Sequence, residues 1–354
     1  MRLATLVTLA MFPLCAQAAT LTFRDCHRIG DESVQGLSGI TFGGEGRYYA
    51  VADNSNRVYP IAVDLKPDGA IAAVEVRRGW AMPARNDYEG IALSGARDSV
   101  FISDETPGIH EHLLPGLRQR RALPVPDIFK GIERNQGFES LTVSPDGATL
   151  WTANERALFV DGNPRVAATP FLAATRVRLL RYQLTPADAN PNGQFEYLTS
   201  GVHGAGGQVG LCDLAALPDG RLLALERSAA KGLSGSKSIR TRIYLVDVAG
   251  ATDVSKPPYD SGLVNQSPVR VSKTLLYDGF VCDADGDNLE GLCLGPALGP
   301  YRWAVIGVVD NTDGGVGVSK SAIVSFVLDL KAMPATQPAT QPSAAPTSNV
   351  SGAK

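Results

Sequence analysis

Three strand-like stretches, DYEGIAL (87–93), GFESLTV (137–143) and NLEGLCL (288–294), each place one carboxylate among apolar and small residues: Glu89, Glu139 and Glu290. CDLAAL (212–217) carries Asp213 at the matching position, and LSGITF (37–42) carries Ser38 there. Acids also end a second set of apolar stretches, as Asp53, Asp104, Glu105, Glu155, Glu226 and Asp310. Carboxylates repeated at one strand position converge, and burying them unpaired costs several kcal/mol or raises their pKa. A hard cation such as Ca²⁺ would offset them, since it takes about 6–8 oxygens. So would arginine: Arg156 and Arg227 directly follow Glu155 and Glu226, in NER and LER, read as equivalent positions. Backbone N–H groups of a neighbouring unit would also serve.

Two loops extend this chemistry. CDADGDNLEG (282–291) sets Asp283, Asp285 and Asp287 at alternate positions ahead of Glu290. It is not an EF-hand loop, because Asn288 takes the place of the sixth-position glycine and Leu294 that of the twelfth-position glutamate. The three aspartates remain candidate Ca²⁺ ligands in another geometry. ERSAAKGLSGSKSIRTR (226–242) carries Arg227, Lys231, Lys237, Arg240 and Arg242, a cationic, hydroxyl-rich loop suited to phosphate or carboxylate groups. There is no G-x-S-x-G, H-E-x-x-H or P-loop. His110 and His112, in GIHEHL, share one strand face, a spacing open to metal but commoner for exposed strand histidines.

The elements that position these residues form a repeat. Each marked stretch is followed by a second strand: RYYAVADN (47–54), SVFISDE (99–105), TLWTANER (149–156), RLLALERS (221–228) and RWAVIGVVDN (302–311). Third strands follow at 58–65, 178–184, 241–248 and 322–328, and weaker fourth strands at 70–78, 195–201 and 273–279. Four antiparallel strands repeated radially make an all-β propeller, with the first strand of each blade on the central channel. Residues 38, 89 and 139 lie 51 and 50 apart, a normal blade length, whereas 213 and 290 follow at 74 and 77, which requires insertions or a decayed marker. Five blades are visible and six are allowed. The last unit lacks a fourth strand, and LTFRDCHRI (21–29) is expected to close the ring; an open β-sandwich is the alternative fold.

The chain has 354 residues and a formal charge of −3, which gives no basic field for nucleic acid. Arg2, an apolar run from Leu3 to Cys15 and Ala16-Gln17-Ala18 read as a secretory signal over 1–19. The propeller is expected over 20–330 and a disordered Pro/Ala/Thr/Ser-rich tail over 331–354. No later apolar stretch is long enough to insert in a membrane, so the expected protein is an exported monomer, periplasmic or secreted. Cys26, Cys212, Cys282 and Cys293 permit two disulfides in any of three connectivities, or four buried thiols, and match no zinc spacing.

Together LSGITF with RYYAVADN, NDYEGIAL with VFISDE, GFESLTVSPDG with WTANE, DLAALPDGRLLALERS and NLEGLCL resemble the bacterial phytase-like family, "esterase-like activity of phytase", over nearly all of 30–330. The resemblance implies a β-propeller and hydrolysis of phosphoric or carboxylic esters. β-Propeller phytases bind several Ca²⁺ ions through runs of adjacent aspartates, and this chain has no such run, which puts phytate itself in doubt. The expectation is an exported, Ca²⁺-assisted hydrolase of a small anionic ester. Glu89, Glu139, Arg156 and Arg227 are expected to be catalytic, and Lys231, Lys237 and Arg240 to bind substrate. Glu89, Glu139, Asp213, Glu290, Asp283, Asp285 and Asp287 are the expected metal ligands. A ligand- or protein-binding propeller with a structural metal is the alternative, and a lactonase a further one.

Overall fold

A computed structural model describes residues 19–53, 55–132, 136–162, 174–231, 235, 237–310 and 321–330. The expected signal, apart from Ala19, and the expected tail lie outside the described residues.

The chain folds as a five-bladed β-propeller. Blade I comprises β2 (Leu37–Gly44), β3 (Arg47–Ala52), β4 (Arg57–Leu65) and β5 (Ile71–Val76), with β6 (Trp80–Ala81) at the edge of β4. Blade II is β7 (Tyr88–Leu93), β8 (Ser99–Asp104), β9 (Gly108–Leu113) and β10 (Gln119–Ala122). Blade III is β11 (Phe138–Val143), β12 (Thr149–Asn154), β13 (Arg176–Leu184) and β14 (Ala189–Leu198). Blade IV is β15 (Gln208–Ala216), β16 (Leu222–Lys231), β17 (Lys237–Asp247) and β18 (Ser272–Gly279). Blade V is β19 (Asn288–Gly299), β20 (Arg302–Asp310) and β21 (Ala322–Leu330), completed by β1 (Ala19–Arg28), which pairs antiparallel with β21. The N-terminal strand thus closes the ring, and the described residues form five blades and no sixth.

The inner strands β2, β7, β11, β15 and β19 neighbour one another in that order, and β19 returns to β2. Their apolar runs are buried because each blade packs on both faces. Five hydrophobic clusters fill the five blade interfaces; one joins Leu223, Leu225, Val305 and Phe326 of blades IV and V, another Phe101, Leu141, Leu150 and Leu180 of blades II and III. At the channel the inner strands come so close that a Cβ on Gly39 would lie 2.5 Å from the Glu89 carbonyl oxygen.

Two long connections account for the wide marker intervals: 155–175 between β12 and β13, and 248–271 between β17 and β18. They are tied together by Arg178, a fully buried side chain. Its guanidinium donates to both oxygens of buried Asp161 at 2.7 Å, to Gln194 Oε1, and to the carbonyls of Val254 and Tyr259.

One disulfide, Cys26–Cys282, fastens the closing strand to the loop ahead of β19, across 256 residues of sequence, while Cys212 and Cys293 are buried thiols. A pair and two free thiols is a mixture of the two expected outcomes. In blade II, β9 was expected as a strand for its histidines but not as the third strand of the repeat, and β10 was not expected. Their sequences, GIHEHL and QRRA, are too polar to match the apolar outer strands of the other units; Glu111 meets Arg120 and Arg121 across them. No described helix is long and apolar enough to cross a membrane.

Candidate functional site at the channel mouth

Every inner strand contains a β-bulge at the same place, between the residue paired to the end of the second strand and the apolar run that follows. A bulge re-aims its extra side chain. The bulged positions are Ser38, Glu89, Glu139, Cys212 and Glu290. Blade IV therefore presents Cys212, and Asp213 stands one residue further along. This corrects the expected alignment, and Asp213 does a different job. Its carboxylate accepts backbone N–H bonds from Leu214 at 2.8 Å, from Leu141 of blade III at 3.3 Å and from Leu292 of blade V at 2.6 Å. It pins three inner strands together; burial still outweighs the three donors and raises its pKa.

The same register aligns the residues that follow the second-strand partners: Asp53, Glu105, Glu155, Arg227 and Asp310. Four blades place an acid here and blade IV places Arg227. The expected equivalence of Arg156 with Arg227 is thus one residue out, since Arg227 matches Glu155 and Glu226 matches Asn154. Glu226 is buried off the ring, bonded to Tyr197 Oη at 2.6 Å, Ser200 N at 2.9 Å and Lys273 Nζ at 2.7 Å.

The two sets of positions build an acidic mouth. Glu89, Glu105 and Glu139 each offer an oxygen within 4.8 Å of the others. Glu105 accepts the Gly137 N–H and shares a hydrogen bond with Glu139. Among the described residues no cation is paired with these three. Burial raises the Glu89 pKa well above the usual carboxylate range, and the charges of Glu290, Glu105, Asp53 and Asp87 add to it. Glu139 is raised in the same way, by burial and then by Glu89, Glu155 and Glu105. Burial also raises Glu105. Glu290 is pushed up to about 7 by burial, against the pull of Arg227.

Arg227 spans the other side of the mouth. It donates to Asn288 Oδ1 at 2.9 Å, to Glu290 Oε1 and to Glu155 Oε1 at 3.3 Å. Burial opposes its charge, but Cys212, Glu290 and Glu155 prevail and hold its pKa well above the usual value. Arg156 reaches the same Glu155 oxygen at 3.4 Å, and its Nε is buried with no partner among the described residues. Gly210 makes room for Glu155, because a Cβ there would lie 2.3 Å from Oε1.

The structure thus brings together Glu89, Glu139, Glu290, Arg156 and Arg227. It adds Glu105, which sequence reasoning placed at a strand end but not in the site; its signal was that it follows Asp104 where Glu155 follows Asn154. Asp283 and Asp287 lie apart from this group, both ion-paired to Arg28 at the end of the closing strand, and the Asp285 carbonyl accepts the Ile239 N–H. The β16–β17 hairpin continues beyond Arg227 on the side of the mouth, with Lys231 paired to Lys237. Four residues of extended strand put those two lysines about 13 Å past Arg227. Arg240 lies nearer, opposite Ser228, and is paired to Asp278. Residues 232–234 and 236 of the expected basic loop lie outside the described residues.

A family model described as "Phytase-like: Esterase-like activity of phytase" matches residues 32–312. No curated protein matches the chain. Among solved structures it is similar to the PQQ-bound form of aldose sugar dehydrogenase from Streptomyces coelicolor, at 14% identity over 88% of this chain and 99% of that one, with a TM-score of 0.44. With the family model spanning most of its length, this five-bladed propeller belongs to the phytase-like family.

Proposed function

We propose that the chain hydrolyses a small phosphorylated or other anionic ester at the channel mouth, with a divalent cation, Ca²⁺, held by Glu89, Glu105 and Glu139. The observation that carries this reading is the Glu89–Glu105–Glu139 group: three oxygens within 4.8 Å, with no cation paired among the described residues. An all-oxygen donor set suits Ca²⁺, Mg²⁺ or Mn²⁺ and not a thiolate-seeking ion. Once bound, such a cation supplies Lewis acidity toward the ester oxygen. Arg227 of blade IV and Arg156 of blade III both reach Glu155 Oε1 beside the carboxylates, and in this reading they hold negative charge developing at the mouth. Glu105 and Glu139 share a hydrogen bond, and burial raises both carboxyls above their usual range. Glu290 fixes the Arg227 guanidinium and belongs to the wall of the site. Lys231, Lys237 and Arg240 draw an anionic substrate toward the mouth. The Cys26–Cys282 disulfide supports an exported, periplasmic or secreted protein, because disulfides persist in oxidising compartments.

The experiment is product release from p-nitrophenyl phosphate, phytate and p-nitrophenyl acetate, with Ca²⁺ and with EDTA, by wild type and Glu139→Gln. Calcium-dependent phosphate release that Glu139→Gln lowers by about two orders of magnitude is expected. Turnover that survives both EDTA and Glu139→Gln sinks the assignment. Calcium stabilisation without turnover of these esters or of a lactone panel would make the cation a structural pin in a binding propeller.

A further inference from the structure

Blade II holds a second constellation, remote in chemistry from the carboxylates. His110 and His112 are two apart on β9, so both rings project from one face of the strand, and their centroids are 6.3 Å apart. Each imidazole has one nitrogen committed. His112 Nδ1 lies 3.0 Å from the Leu117 carbonyl oxygen, which can only accept, so Nδ1 carries the hydrogen. That leaves His112 Nε2 as a bare lone pair, and it is buried with no partner in a side chain only 2% exposed. His110 Nε2 faces Asp104 Oδ2 at 3.5 Å. Asp104 is buried and accepts from Asn86 Nδ2, Thr106 N and Oγ1, and Gly108 N, so it faces His110 as an acceptor. The hydrogen of His110 therefore points at Asp104, and His110 Nδ1 is the second buried lone pair without a partner. Gly108 keeps this arrangement open: a Cβ there would meet Asp104 Oδ2 at 2.8 Å and His110 Nε2 at 2.9 Å.

Two neighbouring imidazoles, each with its far nitrogen engaged by a carboxylate or a carbonyl and its second nitrogen buried without a partner, match the arrangement that orients histidine toward a metal. A purely structural histidine has no need to leave its second nitrogen unsatisfied, and here two neighbours do so. We propose that His110 and His112 bind one imidazole-seeking divalent ion, Zn²⁺ or Cu²⁺, in blade II. Hard Ca²⁺ does not compete for nitrogen donors, and the acidic mouth offers none, so the two sites are chemically separable.

The test titrates the untagged chain with Cu²⁺ and Zn²⁺ in excess Ca²⁺. Copper is read by electron paramagnetic resonance and zinc by competition with a chromophoric chelator. The expected result is one equivalent of each ion, with splitting of the copper signal by two nitrogens. His110→Gln keeps an amide facing Asp104 and His112→Asn keeps one facing Leu117, so each removes only the bare nitrogen. Each should weaken Zn²⁺ binding by more than the roughly 10–100-fold that loss of an outer-shell partner costs. A copper signal without nitrogen splitting, wild-type binding below one equivalent, or variants that bind like wild type would overturn the proposal. The wild-type copper spectrum decides the matter even if a variant fails to fold.

Discussion

Two buried charge clusters of this propeller are built on opposite terms. Around Arg178 every charge is met: Asp161 takes two of its N–H groups, and Gln194 and two carbonyls take others. At the channel mouth, Glu89, Glu105 and Glu139 crowd together, and the nearby guanidinium of Arg227 is already committed to Glu155, Glu290 and Asn288. The first arrangement fixes the long insertions of blades III and IV to each other. The second stores like-charge repulsion that a ligand can relieve. Burial alone does not separate structure from function; completeness of pairing does.

The sharpest way to break that comparison is to unpair the closed cluster. Arg178→Met leaves Asp161 buried without its partner, which should cost about 3–5 kcal/mol of stability in urea unfolding. It should leave calcium binding intact in whatever protein remains folded. Reducing Cys26–Cys282 opens the ring closure without touching either charge cluster, and should cost about 2–5 kcal/mol. At the mouth the signs reverse. Glu139→Gln should lower ester turnover by about two orders of magnitude while leaving the cation-free protein as stable as wild type or more so, because it removes one of the repelling charges.

Dependence on pH follows from the raised carboxyls. A carboxyl whose pKa is higher in the folded than in the unfolded chain holds its proton more tightly when folded. Its stabilising contribution is present at low pH and lost as pH rises through the folded value. Glu290 is pushed up to about 7, and Glu89 and Glu139 are also raised. The melting temperature of the cation-free protein should therefore fall as pH rises through about 7, and excess Ca²⁺ should flatten that fall. The smallest effect expected is at the hairpin. Lys231→Ala with Lys237→Ala should raise KM for an anionic ester a few-fold with kcat unchanged, an effect that fades with salt because the charges act at a distance.

The sequence carried the ring more legibly than the site. Stretches such as YEGIAL and LEGLCL are apolar on both faces because each inner strand is covered by two neighbouring blades, and that repeated demand makes five blades visible while leaving a sixth open. The missing fourth strand of the last unit likewise pointed to the N-terminal closure. Blade II hid the place of its outer strands in the repeat because β9 and β10 satisfy themselves with ion pairs and histidines where other blades use apolar side chains. The site's register was illegible for a more local reason. A bulge adds one residue without a sequence mark, so Cys212-Asp213 looked like an acid in the common position when the bulge presents the cysteine. The string ER at 155–156 and 226–227 likewise concealed that Arg227, and not Glu226, occupies the place of Glu155.

The most direct measurement is a calorimetric titration of Ca²⁺ into wild type and Glu139→Gln at about pH 8, where the carboxyls yield their protons most readily. The account predicts one ion bound by wild type, with protons released as it binds, and a large loss of affinity in the variant. No binding by wild type, or equal binding by the variant, would contradict the claim that Glu89, Glu105 and Glu139 form a cation site.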